Sequence, residues 1–227
     1  MHPVTVSGAG FLFDMDGTLV DSTAVVEAIW TEFAEKHGID PLAVIDYSHG
    51  RQTVDTLTRF LPHRTAAERD LIADALAAHE LNEVGDIAEV AGAAALLTAL
   101  IEAGAPVAVV TSAPRDLAVA RMGVAGVPVP DVLVGAEDAT RAKPAPDGYL
   151  RAAQLLGVPA TECVAFEDAG PGLRAALAAG ATTVVVGGHR SEITTGLVRF
   201  PDHSGVTVTR SGDRFRLTVR PPDTGRS

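Results

Sequence analysis

Apolar residues follow two different rhythms along this chain. Phe11-Leu12-Phe13 is a short continuous apolar run, the pattern of a strand buried on both faces. After it, Val25, Val26, Ile29, Trp30 and Phe33 recur at helical spacing, preceded by Asp21-Ser22-Thr23, whose oxygens suit an N-cap, and stopped by Gly38. A second helix is expected from about Arg51 to Leu61. Thr65-Ala66-Ala67-Glu68 has the spacing of a capping box, and Leu71, Ile72, Ala75 and Leu76 make a helical stripe behind it. Residues 22–86 thus predict helices with no buried strand among them.

From residue 93 the rhythm becomes helix, short apolar strand, helix, strand, as parallel βαβ units require. A helix over Ala93–Ala103 ends at Gly104, and Pro106-Val107-Ala108-Val109-Val110 leads into Thr111-Ser112. Further strands are expected at Val132–Val134, Cys163–Phe166 and Thr182–Val186, with helices near Asp116–Ala125, Asp147–Leu156 and Gly172–Ala179. The first strand belongs with these later ones. The expected fold is therefore α/β, a parallel-sheet core from residues 1–20 and 88–227 with an α-helical cap inserted at 21–87. Gly205–Arg210 and Arg214–Arg220 alternate in β fashion about Ser211-Gly212-Asp213, a hairpin whose arginines form a solvated face. Pro221 to Ser227 reads as a disordered tail.

Composition narrows the class of partner. With 227 residues, 47% of them hydrophobic, the chain can bury one good core and a small second one. A formal net charge of -11 argues against a nucleic-acid groove or an anionic membrane surface, since both ask for a basic patch. No stretch approaches the ~20 apolar residues of a membrane span, and no secretory leader pattern opens the chain. The single cysteine, Cys163, suits a reducing compartment and reads as a packed thiol. A cytoplasmic protein is the expectation, monomer or homodimer.

The apolar run Phe11–Phe13 delivers Asp14 and Asp16, one residue apart, onto Gly17. Burial and mutual repulsion resist ionising both unless a cation, a proton or hydrogen bonds compensate. In open α/β sheets, ligands gather where the carboxyl ends of strands meet. Besides Asp14 and Asp16, three further polar segments fall there: Thr111-Ser112, Lys143 in the loop Arg141-Ala142-Lys143-Pro144, and Glu167-Asp168 after Phe166. Lys143 is one of only two lysines, with Lys36.

In this order the set fits phosphoryl transfer, which needs an in-line nucleophile, cations that bring two anions together, and donors for the equatorial oxygens. Asp14 is the candidate nucleophile. Its attack on a phosphate implies Mg²⁺ held by Asp14, the backbone carbonyl of Asp16, and Asp168; hard oxygens without a His/Cys cluster favour Mg²⁺ over zinc. Thr111 would donate to a phosphoryl oxygen, Lys143 would supply positive charge, and Glu167 would orient Lys143 or a metal-bound water. Asp16, close to Asp14, would hold a proton for the leaving alkoxide and then activate water.

With these residues in place, the chain resembles the haloacid dehalogenase superfamily, in the branch with a helical cap after the first motif. Asp14-Met15-Asp16-Gly17-Thr18, Thr111, Lys143 and Glu167-Asp168 match its four motifs in order. The resemblance spans nearly the whole chain and implies a Rossmann-like core, an aspartyl-phosphate intermediate and Mg²⁺. Dehalogenases in the family lack the second aspartate, present here as Asp16, which favours phosphate chemistry. The segments Asp14–Ser22, Val109–Ser112, Lys143–Asp147 and Phe166–Gly172 look most like phosphatases of small phosphorylated sugars and polyols. β-Phosphoglucomutases usually carry a His on the first cap helix where this chain has Val26, which counts against a phosphomutase. A non-catalytic sensor would be expected to have lost Asp14, Asp16 or Lys143. His49-Gly50-Arg51-Gln52-Thr53 is similar to the cap loop of those phosphatases, so His49, Arg51 and Gln52, with Ser112, are the candidate substrate contacts, and Gly17 and Asp21 the candidate hinge.

Overall fold

The computed structural model of the chain describes residues 3–219, so Arg220 and the expected tail from Pro221 lie outside the described residues. Its centre is a six-stranded parallel sheet, β2 (Gly10–Phe13), β5 (Val107–Val110), β6 (Val132–Val134), β7 (Cys163–Glu167), β8 (Thr182–Val186) and β9 (Val198–Phe200). The strand order is β6-β5-β2-β7-β8-β9, with every neighbouring pair parallel. β2 therefore sits in the middle, its carboxyl end flanked by those of β5 and β7. That is the crevice in which an open α/β sheet binds its ligands.

The continuous apolar runs have their reason in the layers. Phe11 and Phe13 pack on one face, against Leu97 and Leu100 of α5 (Ala93–Glu102) and Leu117 of α6 (Arg115–Val124). Leu12, between them, points to the other face, with Tyr149 and Ala152 of α7 (Asp147–Leu156) and Ala175 and Ala176 of α8 (Gly170–Ala178). Phe13 stacks on Phe166 with ring centroids 4.5 Å apart, tying β2 to β7 just below the crevice.

The four helices between the first and later strands are α1 (Thr23–His37), α2 (Pro41–Ser48), α3 (Thr53–Phe60) and α4 (Ala66–Asn82). They share a core of their own made of Trp30, Phe33, Ala34, Val44, Leu57 and Leu61. The chain enters and leaves this layer through a two-residue antiparallel ladder, β3 (Val20–Asp21) against β4 (Ala88–Glu89). Three details differ from the sequence reading. The eight-residue α2 was not anticipated; Asp40 caps it by accepting from Leu42 N and Pro41 occupies its first turn, but Leu42 is exposed, which blurs the stripe. α3 starts at Thr53 rather than Arg51. At the start of α1 the Asp21 carboxylate accepts from Thr23 N, whereas the Ser22 hydroxyl does not cap the helix. The capping box on α4 is present, with Thr65 Oγ1 accepting from Glu68 N and Glu68 Oε2 from Thr65 N.

A second, antiparallel sheet packs beneath the first: β1 (Val4–Gly8), β10 (Val206–Ser211) and β11 (Arg214–Val219), in the order β1-β11-β10. The β10–β11 hairpin falls where the alternation placed it. Phe215 and Leu217 are buried in the main core while Arg214 and Arg216 are exposed. β1 and β9 are not predicted from sequence: β9 has only three residues, and β1 carries Thr5, Ser7 and Gly8 with Val6 its one buried valine.

Candidate active site

The loop after β2 is wound tightly around one carbonyl: Met15 O accepts from the backbone N–H of Thr18, Leu19 and Val20. This winding needs φ = 78° at Gly17, a left-handed conformation that favours glycine. A second constraint acts at the same residue. A Cβ on Gly17 would lie 2.2 Å from Asp168 Oδ2, so only glycine lets the loop after β2 close on the loop after β7. Thr18 Oγ1 completes the approach by donating to Asp168 Oδ1 at 3.3 Å.

Around this junction lies a buried ionic cluster. Lys143 Nζ donates to Asp14 Oδ1 (2.5 Å), Glu167 Oε1 (2.7 Å) and the Val110 carbonyl (2.9 Å). Tyr149, on α7, donates its hydroxyl to the same Glu167 oxygen at 2.7 Å. Glu167 Oε1 thus accepts from both Lys143 and Tyr149. Gly172 lies so close to it that a Cβ there would meet Glu167 Oε1 at 1.7 Å.

Charge in this cluster is unbalanced. Carboxylate oxygens of Asp14, Glu167 and Asp168, one from each, lie within 4.8 Å of one another. Burial, then the negative charge of Glu167, pushes the Asp14 carboxyl well above the ordinary carboxylate range, and the same two causes push Asp168 up to about 7. Burial opposes charge on Lys143, but Asp14 and Glu167 on either side outweigh it and hold the ammonium protonated. Three converging carboxyls and one cation leave an excess of negative charge that a divalent, oxygen-preferring cation would neutralise. The donor set therefore fits such an ion.

Asp16 points elsewhere. Its carboxylate accepts from Arg121 Nη1 at 2.9 and 3.0 Å and from Ser22 Oγ at 2.6 Å. Sequence reasoning placed the Asp16 side chain against Asp14; its close charged neighbour is a guanidinium, and its side chain stands outside the acidic cluster. Arg121 also donates to Glu80 on α4, linking the sheet layer to the helical layer. Neither Arg121 nor Glu80 was singled out from sequence. Each carries a readable signal: Arg121 lies in the stripe Leu117, Ala118, Met122, and Glu80 continues Ile72 and Leu76 at four-residue steps.

The remaining candidates divide between the cavity and its frame. A cavity of about 100 Å³ lies between the layers, lined among others by Asp14, Asp16, Thr111, Ser112, His49 and Arg51. Thr111 Oγ1 accepts from Ala113 N, which leaves its hydroxyl hydrogen free to donate. Arg51 lies over the Tyr47 ring, 4.3 Å from its centroid, and His49 Nε2 is 3.3 Å from Glu27 Oε1. Ser112 Oγ donates to the Gly50 carbonyl. Gln52 is not part of the lining: its amide donates to the Ala136 carbonyl at 3.0 Å, so it ties the loop to the sheet layer. Cys163 is buried away from the cavity, its thiol pushed up to about 11 by burial.

Several known proteins are similar to this chain. Hexitol phosphatase A of Escherichia coli (strain K12) is 44% identical over 177 residues, covering 78% of this chain and 82% of that protein. 2-Deoxyglucose-6-phosphate phosphatase 2 of Saccharomyces cerevisiae is 32% identical over 198 residues, covering 76% and 77%. Among solved structures, β-phosphoglucomutase from Clostridium difficile superposes with a TM-score of 0.76 at 21% identity, over 86% of this chain and 91% of that one, a likeness of fold. The haloacid dehalogenase-like hydrolase family matches residues 9–180, a span that runs from β2 past α8 and contains every residue of the ionic cluster; the chain belongs to that family.

Proposed function

We propose that this protein is a phosphoric monoester hydrolase that removes phosphate from a small sugar or polyol phosphate through an aspartyl-phosphate on Asp14, with Mg²⁺ as cofactor. The observation that carries the reading is the convergence of Asp14, Lys143, Glu167 and Asp168 at the carboxyl ends of β2 and β7, with Thr111 just past the end of the neighbouring β5. The named phosphatases above support the substrate class.

Mg²⁺ would be held by Asp14, Asp168 and the Asp16 carbonyl, and supplies the positive charge that lets a carboxylate approach a phosphate dianion. Asp14 forms the new bond to phosphorus as the ester oxygen departs. Lys143 keeps Asp14 oriented and contributes positive charge beside it, while Thr111, whose hydroxyl hydrogen is free, is the donor for the equatorial oxygens. Asp16, which must carry a proton when the ester binds, gives it to the departing alkoxide; the carboxylate left behind, the form that accepts from Arg121 and Ser22, then regains a proton from the water that hydrolyses the acyl phosphate. Residues 21–87 act as a cap that covers the site and excludes water, with Arg51 and His49 facing the leaving group. Val26, on α1, lines the cavity with a side chain that can neither donate nor accept a proton, which favours hydrolysis over the mutase reading.

The experiment is phosphate release from a panel of sugar, polyol and other small phosphate esters, with and without Mg²⁺, with Asp14→Asn as the blank. Mg²⁺-dependent release absent from the variant is expected. No release from any ester, with isomerisation of β-glucose 1-phosphate in the presence of its bisphosphate, would move the assignment to a phosphomutase.

A further inference from the structure

Arg121 belongs to the sheet layer and is held by carboxylates from two layers. Its side chain is 3% exposed, between Leu117 and Met122 on the buried face of α6. Nη1 reaches both oxygens of Asp16, at 2.9 and 3.0 Å, and Nη2 reaches Glu80 Oε2 at 3.2 Å. Glu80 comes from the last turns of α4, across the boundary between cap and core, and is 8% exposed.

A planar guanidinium with its donors in a fixed fork can hold two carboxylates in one geometry; an ammonium on a flexible stem cannot fix both. Both ends are buried, so neither Arg121 Nη2 nor Glu80 has a low-cost alternative partner when α4 sits on α6. Lifting the cap would leave a guanidinium hydrogen and a carboxylate to be satisfied by water. The Asp16 carboxylate is thus gripped by Ser22 at the base of α1 and by Arg121, which is itself gripped by α4.

We infer that Arg121 is the positioning residue for Asp16, and that Glu80 is its anchor in the cap, so that Asp16 reaches its working position only when α4 is docked on α6. This rests on the proton-donor role given to Asp16 above. The leaving group reads that role directly: a nitrophenolate departs without needing a proton, whereas an alkoxide from a polyol does not. Misplacing Asp16 must slow the departure of an alkyl alcohol more than that of an aryl one, whereas its effect on the later hydrolysis is common to both. A loss of general stability or of Asp14 reactivity would slow both alike.

The test measures kcat/KM, which reads only the steps up to departure of the alcohol and leaves out the later hydrolysis in which Asp16 also acts, for sorbitol 6-phosphate and for p-nitrophenyl phosphate in Glu80→Ala, Glu80→Gln and Arg121→Lys, with Asp16→Asn defining the full selective loss. Displacement of a catalytic group by about 1 Å costs up to about 100-fold. Glu80→Ala and Arg121→Lys are expected to lose about tenfold more on the sorbitol ester than on the aryl ester. Glu80→Gln should recover most of that ratio, because its amide oxygen still accepts from Nη2. Arg121→Lys carries the comparison if Glu80→Ala does not fold. Equal losses on both esters, or no loss, while Asp16→Asn is selective, would overturn the inference and leave the proposed function standing. Equal losses in Asp16→Asn itself would instead overturn the role of Asp16, and the inference with it.

Discussion

Lys143 Nζ and Glu167 Oε1 are 2.7 Å apart in a site where both side chains are almost wholly buried, and Glu167 is drawn there by Tyr149 as well. Lysine is the cation that this pocket shares between Asp14 and Glu167. Replacing it by a neutral residue of similar length leaves carboxylates buried without their counter-ion.

Lys143→Met is therefore expected to cost about 3–5 kcal/mol of stability at neutral pH, the usual penalty for an uncompensated buried charge. The penalty should shrink towards pH 5, where the carboxyls of the metal-free protein can take up protons instead. Urea unfolding at both pH values, without added divalent cation, measures it.

Gly17→Ala should nearly abolish turnover while leaving most of the sheet intact. The new Cβ would lie 2.2 Å from Asp168 Oδ2 and would force a side chain into φ = 78°. Asp168 must move, and with it the proposed Mg²⁺ site. A rise of at least tenfold in the Mg²⁺ concentration needed for half-maximal residual activity is the expected signature, on the scale seen when support of a metal ligand is lost.

His203 lies outside the span that matches the family, yet its Nε2 is 2.8 Å from the Thr18 carbonyl and its backbone N–H donates to Ala91 O, so it clasps both strands of the linker to the cap. Nε2 must carry the hydrogen, leaving Nδ1 without a partner. Burial lowers the imidazole below its ordinary value of 6.5. Above that value the histidine is neutral in folded and unfolded chains alike. Below it the unfolded chain takes up a proton that the folded chain refuses, so this contribution to stability is lost as pH falls, with a slope of up to about 1.4 kcal/mol per pH unit. His203→Gln, which can still donate to Thr18 O, should flatten the stability profile between pH 6.5 and 5 in chemical denaturation.

Gln52 and Arg51 are neighbours with different expected roles. Gln52→Ala removes a tie to Ala136 and should change rates on all substrates by a similar factor. Arg51→Ala removes a cavity wall and should alter the ranking of substrates. Specificity constants over the same ester panel separate the two. An unchanged ranking in Arg51→Ala would place discrimination elsewhere in the cap.

The sequence by itself determined the sheet strands that matter and the motif residues at their ends. Phe11–Phe13, Val107–Val110 and Cys163–Phe166 are apolar on consecutive positions because both faces of a parallel strand are covered, and a residue that turns polar at the end of such a run has left the core at the crevice. Local chemistry of this kind also exposed the capping box of α4 and the Gly212-Asp213 turn. Tertiary structure alone decided which charges meet. Asp16 and Arg121 are 105 positions apart and Arg121 and Glu80 are 41 apart, so the first pairing depends on how α6 sits beside the loop after β2 and the second on how α4 packs on α6. It also decided that Gln52 turns to Ala136 while Arg51 turns to the cavity, and that Asp16 faces a guanidinium instead of Asp14. Spacing along a strand or helix shows which face a side chain occupies; the partner across that face is supplied by a distant segment, whose register no local pattern encodes.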